Sequence, residues 1–367
     1  AGDTRHHRKL VMRNLHRNVL EIVDTGATDR NRGCHRVVFN FTVAISFSRK
    51  LIHWYEQSHR SFPWRETHNP WQILVSELML QQTRASVVIP YYLNFLEKFP
   101  TPAALAVAEE QEILAAWSGL GYYSRVRNLQ QAARQIVELS GFPEEYAEIR
   151  KLKGVGDYTA AAVSSIAFNL PYAVLDGNVI RVTARLTNDA SDVSRPRIRQ
   201  KLQGVANDLL DRKRPGLFNQ AMMELGATVC LPRSPQCLLC PVSDFCEGRK
   251  AGRAAELPVK LKTSSPVAEE ISVFCIENKD HILLRKRPVD SKRLAGFWEL
   301  PDQAQIESLK LKSSELLNEV GVFRHTIVNH VYRVRVHHAR SVKEKLQNEE
   351  LQWIPHVSIK SLPLSTI

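Results

Sequence analysis

Two carboxyl groups carry the most demanding chemistry in this sequence. Glu77 lies in Pro70-Trp71-Gln72-Ile73-Leu74-Val75-Ser76-Glu77-Leu78-Met79-Leu80, four residues after Ile73 and three after Leu74, so it falls on or beside the apolar face of the helix this run predicts. A carboxyl there loses solvation, its charged form is disfavoured, and its pKa rises until it holds a proton near neutral pH. General acid catalysis needs such a group; a glutamate at the polar margin of the stripe is the plainer alternative. Asp176 precedes Gly177-Asn178 and the periodic run Val179-Ile180-Arg181-Val182. Its first role is to cap that helix by accepting backbone N–H bonds, which keeps it ionised. A fixed anion also suits a reaction with a positively charged sugar transition state, and the two roles are compatible.

Between them runs Leu152-Lys153-Gly154-Val155-Gly156-Asp157-Tyr158-Thr159 followed by Ala160-Ala161-Ala162-Val163. Gly154 and Gly156 make a turn tight enough for backbone N–H groups to point outward at the start of a helix, which is an anion site. The small residues after it allow close packing on a neighbour. Gly154-Val155-Gly156 therefore reads as the hairpin of a helix-hairpin-helix gripping a DNA phosphate without reading bases, or else as an ordinary glycine-turned helix pair. Upstream, Arg60-Ser61-Phe62-Pro63-Trp64-Arg65 is a loop of aromatic and guanidinium groups able to stack on an extruded base or to pack the domain surface. In Gly119-Leu120-Gly121-Tyr122-Tyr123-Ser124-Arg125, Tyr122 can wedge a base stack or sit under a loop as a core aromatic.

Cys230, Cys237, Cys240 and Cys246 place four of the six cysteines within one short segment, and this spacing is the sharpest signal in the chain. It holds one Cys-x2-Cys pair where zinc ribbons show two. A compact four-thiolate loop suits a [4Fe–4S] cube, with zinc as the alternative. Pro232, Arg233, Pro235 and Arg249 around it suggest a basic loop beside DNA, while Cys34 and Cys275 stand alone.

The elements that must position these groups follow from the 367 residues, which suffice for two or three domains, and the 44% hydrophobic content is that of a globular chain. No stretch approaches a membrane span. A net charge of +12 favours a polyanionic partner. Residues 1–45 read as a loose basic arm whose Asp3, Glu21, Asp24 and Asp29 count against a transit peptide. Helical patterns run from 46 to 250, interrupted at the motifs above, and 251–266 is a linker ending in Thr263-Ser264-Ser265-Pro266. Beyond it the period alternates. Ile271–Ile276 and His281–Arg285 form a hairpin about Asn278-Lys279-Asp280, followed by Gly296–Pro301, a helix near Leu316-Leu317-Asn318-Glu319, and strands around 325–330 and 332–337.

Together, Ser76-Glu77-Leu78-Met79-Leu80-Gln81-Gln82-Thr83, the Gly119–Arg125 turn, the hairpin with Tyr158, Leu175-Asp176-Gly177-Asn178-Val179 and the cysteine quartet resemble an adenine DNA glycosylase of the MutY type, from about residue 48 to the end. The resemblance implies a mainly α helix-hairpin-helix glycosylase core with an iron–sulfur loop and a C-terminal α+β Nudix-like domain. It divides the core into a six-helix barrel at 71–177 and an iron–sulfur domain from 46–70 and 178–250, with the Nudix-like domain at 267–367. It implies removal of adenine paired with 8-oxoguanine or guanine in double-stranded DNA, with Glu77 protonating adenine N7, Asp176 stabilising an oxocarbenium-like sugar and Tyr158 assisting. Arg60, Trp64, Arg65, Gln220 and Asn178 fall where the family lines its base pocket, and Gln82 and Tyr122 where it opens the duplex.

Endonuclease III relatives carry a lysine at the position of Tyr158, so the resemblance implies base removal without strand cleavage; a bifunctional pyrimidine glycosylase/lyase is the alternative. A nucleotide-hydrolysing Nudix helix needs several carboxylates for Mg²⁺, and Leu316–Gly321 offers one, so binding is expected of that domain. The family reads 8-oxoguanine with a Phe-Ser-His loop; here Val328-Asn329-His330 stands nearest, which makes Asn329 and His330 the expected contacts. The chain ends about where the family continues into a last helix, and the short linker, unlike the longer connector of animal relatives, points to a bacterial-type cytoplasmic protein, or to nucleus or mitochondrion in a eukaryote; a monomer is expected.

Overall fold

The computed structural model describes residues 41–261, 267–288, 290–291, 294–308, 316–327, 330–340 and 350–365. Residues 1–40 of the expected arm, the end of the linker, and Val328 and Asn329 lie outside the described residues. In chain order the helices are α1 (Phe41–Ser58), α2 (Pro70–Leu80), α3 (Ala85–Lys98), α4 (Pro102–Val107), α5 (Glu110–Trp117), α6 (Ser124–Glu138), α7 (Tyr146–Ile149), α8 (Asp157–Phe168), α9 (Gly177–Leu186), α10 (Pro196–Leu209), α11 (Pro215–Thr228), α12 (Glu247–Lys250) and α13 (Gln303–Ser308). The strands are β1 (Val267–Asn278), β2 (His281–Lys286), β3 (Trp298–Glu299), β4 (Leu316–Ile327), β5 (His330–Arg340) and β6 (Leu351–Pro355). Helix α1 begins at Phe41, so the last residues of the expected arm are already helical.

Contacts gather the described residues into two units, those within 41–89 and 131–261 and those within 90–130 and 267–365, a division that cuts across the expected barrel at 71–177. In the first unit the helix starts are written locally. Asn69 Oδ1 accepts from the N–H groups of Trp71 at 2.9 Å and Gln72 at 3.3 Å, with Pro70 as the first helical residue of α2. Gly156 opens α8, whose Ala160, Ala161 and Ala162 are buried against neighbours, and Asn169 closes it in the left-handed region at φ 53°. Helix α1 buries Phe47, Leu51, Ile52 and Tyr55 along one face, each worth roughly 1.5–3 kcal/mol of transfer free energy. Gly216 lets α11 approach α8: a Cβ there would stand 2.6 Å from the Ser165 carbonyl oxygen.

The second unit holds a sheet in the order β3-β2-β1-β5-β4, with β6 paired to β2. The β1–β2 hairpin is antiparallel with Lys279 at φ 52° in its turn, and β1 runs parallel to β5. Phe274, Ile276, Leu283, Ile306 and Leu351 form its core. The helix expected near Leu316–Glu319 is instead the start of β4, which pairs antiparallel with β5 through two register shifts. A four-residue helical pattern is marginal on its own, and Val320, Val322, Phe323 and Thr326 beyond it favour the pleated ladder. No helix of the described residues is long and apolar enough to cross a membrane.

Candidate active site and cysteine loop

A cleft of about 1130 Å³ in the first unit is lined by Glu77 from α2, Tyr158 from α8 and Asp176 at the start of α9. The two carboxyl groups therefore share one cavity. Glu77 is 5% exposed. Burial, with the Asp176 charge adding to it, pushes its carboxyl up to about 7 against the opposing Tyr158 hydrogen bond and Arg65 charge. The Tyr158 hydroxyl donates to Glu77 Oε2 at 2.5 Å, and Met223 Sδ lies 3.3 Å from it. Burial and the two carboxylates hold the Tyr158 phenol well above its ordinary value, so it remains an O–H donor.

Asp176 caps α9 as expected, accepting from the Val179 N–H at 2.7 Å on Oδ1 and from Asn178 Nδ2 at 2.8 Å on Oδ2. Its pKa nevertheless moves upward, because burial outweighs these donors and the Arg181 charge. The cap is written in the local sequence and the burial is not, so the anion is held less firmly than the cap alone implies.

Arg60, Trp64, Arg65 and Gln220 line the same cleft. The two arginines converge on a residue that sequence reasoning missed, Glu224 of α11, 1% exposed. Arg60 Nε and Nη2 donate to its two oxygens at 2.8 Å each, and Arg65 Nη2 donates at 2.7 Å. Burial alone would raise this carboxyl, but the two guanidinium groups overcome it and hold it down at about 2. Phe62 stacks on Trp64 with centroids 4.9 Å apart, and both guanidinium groups lie over the Phe62 ring. This is a flat, partly cationic wall able to stack against an aromatic base.

Helix α9 joins the cleft to the cysteine loop. Asn178 Oδ1 accepts from Arg181 Nη2 at 2.9 Å, and Arg181 donates onward to the carbonyl oxygens of Gly226 at 2.7 Å and Cys230 at 2.8 Å. One turn further, Arg185 donates to Cys230 Sγ at 3.2 Å and to the carbonyls of Leu231, Pro232 and Leu257. Cys230, Cys237, Cys240 and Cys246 line one small cavity with Arg185. Among the described residues no three His, Cys, Asp or Glu side chains are grouped to hold a single metal ion. Burial pushes the Cys240 thiol up to about 12, reinforced by its three cysteine neighbours, so thiolates packed this way need a cationic centre among them. The residues fit an iron–sulfur cluster.

The remaining expected contacts are dispersed. Gly154, at φ 78°, and Gly156 are exposed, while Val155 turns its side chain into the core, leaving only backbone for a phosphate. Gln82 follows α2 at φ 58°, exposed at the rim of the cleft. Tyr122 belongs to the second unit, 46% exposed at φ 48°, with the Arg125 guanidinium over its ring. His330, also in that unit, meets Glu269 Oε1 at 2.6 Å through Nδ1. Glu319, the carboxylate considered for Mg²⁺, lies on a strand and accepts from Arg335 at 2.8 Å.

Residues 75–207 match the model of the HhH-GPD superfamily base excision DNA repair proteins, and residues 230–246 match the iron–sulfur binding domain of endonuclease III. The four cysteines thus carry a [4Fe–4S] cluster. A solved thermostable thymine-DNA glycosylase superposes with a TM-score of 0.52 at 28% identity, covering 57% of this chain and 97% of that one. The human adenine DNA glycosylase is 37% identical over 75% of this chain, which spans only 60% of that protein's length. The adenine DNA glycosylase of Buchnera aphidicola is 33% identical over 77% of this chain and 83% of its own length. With relatives of that name matched across most of its length, the chain belongs to the adenine DNA glycosylase family.

Proposed function

We propose that the chain removes adenine opposite 8-oxoguanine or guanine from double-stranded DNA as a monofunctional, monomeric glycosylase. The observation that carries this reading is a carboxyl poised at about 7, Glu77, sharing a cleft with the capped Asp176. An adenine extruded into that cleft takes a proton from Glu77 on N7. The C1′–N9 bond then breaks with its electron pair returning to the purine, and the negative charge of Asp176 stabilises the cationic sugar. Water adds to C1′ and its proton restores Glu77, the Tyr158 hydroxyl holding the Glu77 carboxyl in place at 2.5 Å. The exposed Gly154 and Gly156 turn supplies phosphate contacts, and the second unit, with His330 and Asn329, reads the opposite base.

Two observations weigh against the competing readings. A phenol held well above its ordinary pKa at Tyr158 offers no amine for a Schiff base, which disfavours a lyase. The Glu319–Arg335 pairing on a strand leaves no carboxylate cluster for nucleotide hydrolysis among the described residues. The test is single-turnover cleavage of duplexes carrying adenine opposite 8-oxoguanine, guanine or thymine, developed with and without alkali. Adenine opposite 8-oxoguanine reacts fastest, strand breaks appear only with alkali, and Glu77→Gln is nearly inert. A variant with parental activity would remove Glu77 from the mechanism.

A further inference from the structure

Tyr55 lies on the inward face of α1 beyond Leu51 and Ile52, and is 3% exposed. Its ring stacks on His59 with centroids 4.7 Å apart and carries the Arg65 guanidinium 5.4 Å from its centre. A buried phenol keeps its hydrogen and must find an acceptor for it. Among the described residues that acceptor is Gln220 Oε1, at 2.7 Å. The requirement fixes the amide: with its nitrogen turned to the phenol, Gln220 would donate to the phenol oxygen and leave the phenol hydrogen without this acceptor. Gln220 lines the cleft that holds Glu77 and Asp176 and also an adjoining cavity of about 560 Å³. Its Nε2 has no partner among the described residues, so both of its hydrogens are free for a ligand.

We propose that Tyr55 is a positioning residue that locks the Gln220 amide with only N–H donors facing the base, and so sets which purine the cleft accepts. The proposal rests on the reading of the cleft as an adenine site. With Glu77 addressing N7 on the imidazole side, Gln220 meets the Watson–Crick edge. Adenine N1 has a lone pair there and receives the donor; hypoxanthine and guanine carry N1–H and clash with it. Accepting N1–H requires the amide to flip and strand the phenol hydrogen, which biases the equilibrium roughly 5- to 150-fold against the flipped form. Adenine and hypoxanthine share the N7 acceptor and the C1′–N9 bond to be broken, and their intrinsic difference in reactivity is constant across variants, so a change in their rate ratio reads the Watson–Crick edge.

Tyr55→Phe removes the hydroxyl and keeps the packed ring. The experiment compares single-turnover rates for adenine and hypoxanthine, each opposite 8-oxoguanine in one duplex context, in the parent, Tyr55→Phe and Gln220→Glu. The difference in extrusion cost between the two bases cancels when ratios are compared across variants. The parent prefers adenine, and Tyr55→Phe lowers that preference at least fivefold. Gln220→Glu gives an independent reading with Tyr55 intact: its carboxylate accepts the phenol hydrogen with one oxygen and shows the base another acceptor, so the preference falls or inverts. Equal slowing on both substrates in either variant, with the ratio unchanged, overturns the lock and leaves Tyr55 a packing residue. A parent that releases no adenine fails differently, since the adenine reading falls and takes this inference with it.

Discussion

Glu77→Gln should abolish activity and yet stabilise the protein, by an amount that grows with pH. The Glu77 carboxyl rises from an ordinary 4.5 to about 7 in the fold, chiefly through burial. Below about pH 4.5 the carboxyl is neutral in both folded and unfolded chains, and the fold loses nothing by burying it. Between 4.5 and 7 the unfolded chain ionises while the folded one keeps its proton, so stability drains away as pH rises, and the loss is complete above the folded value. At about 1.4 kcal/mol per pH unit the deficit reaches about 3 kcal/mol by pH 8. Glutamine is neutral throughout and its oxygen still accepts the Tyr158 hydroxyl that now bonds Oε2. The variant should match the parent near pH 4.5 and melt roughly 6–12 °C higher at pH 8. Thermal melts of the two cluster-loaded proteins from pH 5 to 8.5 measure this, and the cluster's own contribution cancels between them. A melting difference that does not widen with pH, or one in the parent's favour, refutes the burial argument and with it the claim of a proton held for donation.

Two further outcomes follow from close packing. Gly226→Ala puts a Cβ 2.6 Å from Asn178 Cβ and 3.1 Å from its Cα; overpacking of this kind costs about 1–3 kcal/mol, and displacing Asn178 takes its amide from Asp176, so urea denaturation and single-turnover rate should both register the change. Arg185, 1% exposed, donates to the Leu231, Pro232 and Leu257 carbonyls, and Arg185→Met leaves them without that donor, at roughly 1–3 kcal/mol for each carbonyl water cannot reach, and should lower iron bound per chain; Arg185→Lys should not restore it, because one ammonium cannot span three divergent acceptors.

What the sequence showed depended on how local each cause was. Glu77 was legible because the residues that desolvate it, Ile73, Leu74 and Leu78, share its helix, and Asp176 because a cap is written within three residues. The cysteines announce themselves by spacing alone. Glu224 was missed although the signal used for Glu77 applies to it: an acid beside Leu225 and three after the buried Ala221. What fixes its charge, however, is two arginines 164 and 159 residues away. The same distance hid the bond between Tyr55 and Gln220, 165 residues apart. At Leu316–Glu319 the error ran the other way, since a short helical pattern was read without the ladder to β5 that overrides it.

The two cleft carboxyls differ in what opposes their burial, and their division of labour follows from that difference. Both are pushed up by desolvation. Against that push Glu77 has one hydrogen-bond donor, the Tyr158 phenol, and the charge of Arg65. Asp176 has the Val179 N–H, the Asn178 amide and the charge of Arg181, all carried by the helix it caps. A proton shared between them therefore settles on Glu77, and the negative charge left on Asp176 raises Glu77 further. Acid and anion are thus assigned by α9: any change that loosens Asn178 or Arg181 lets Asp176 rise and compete for the proton, weakening both roles at once.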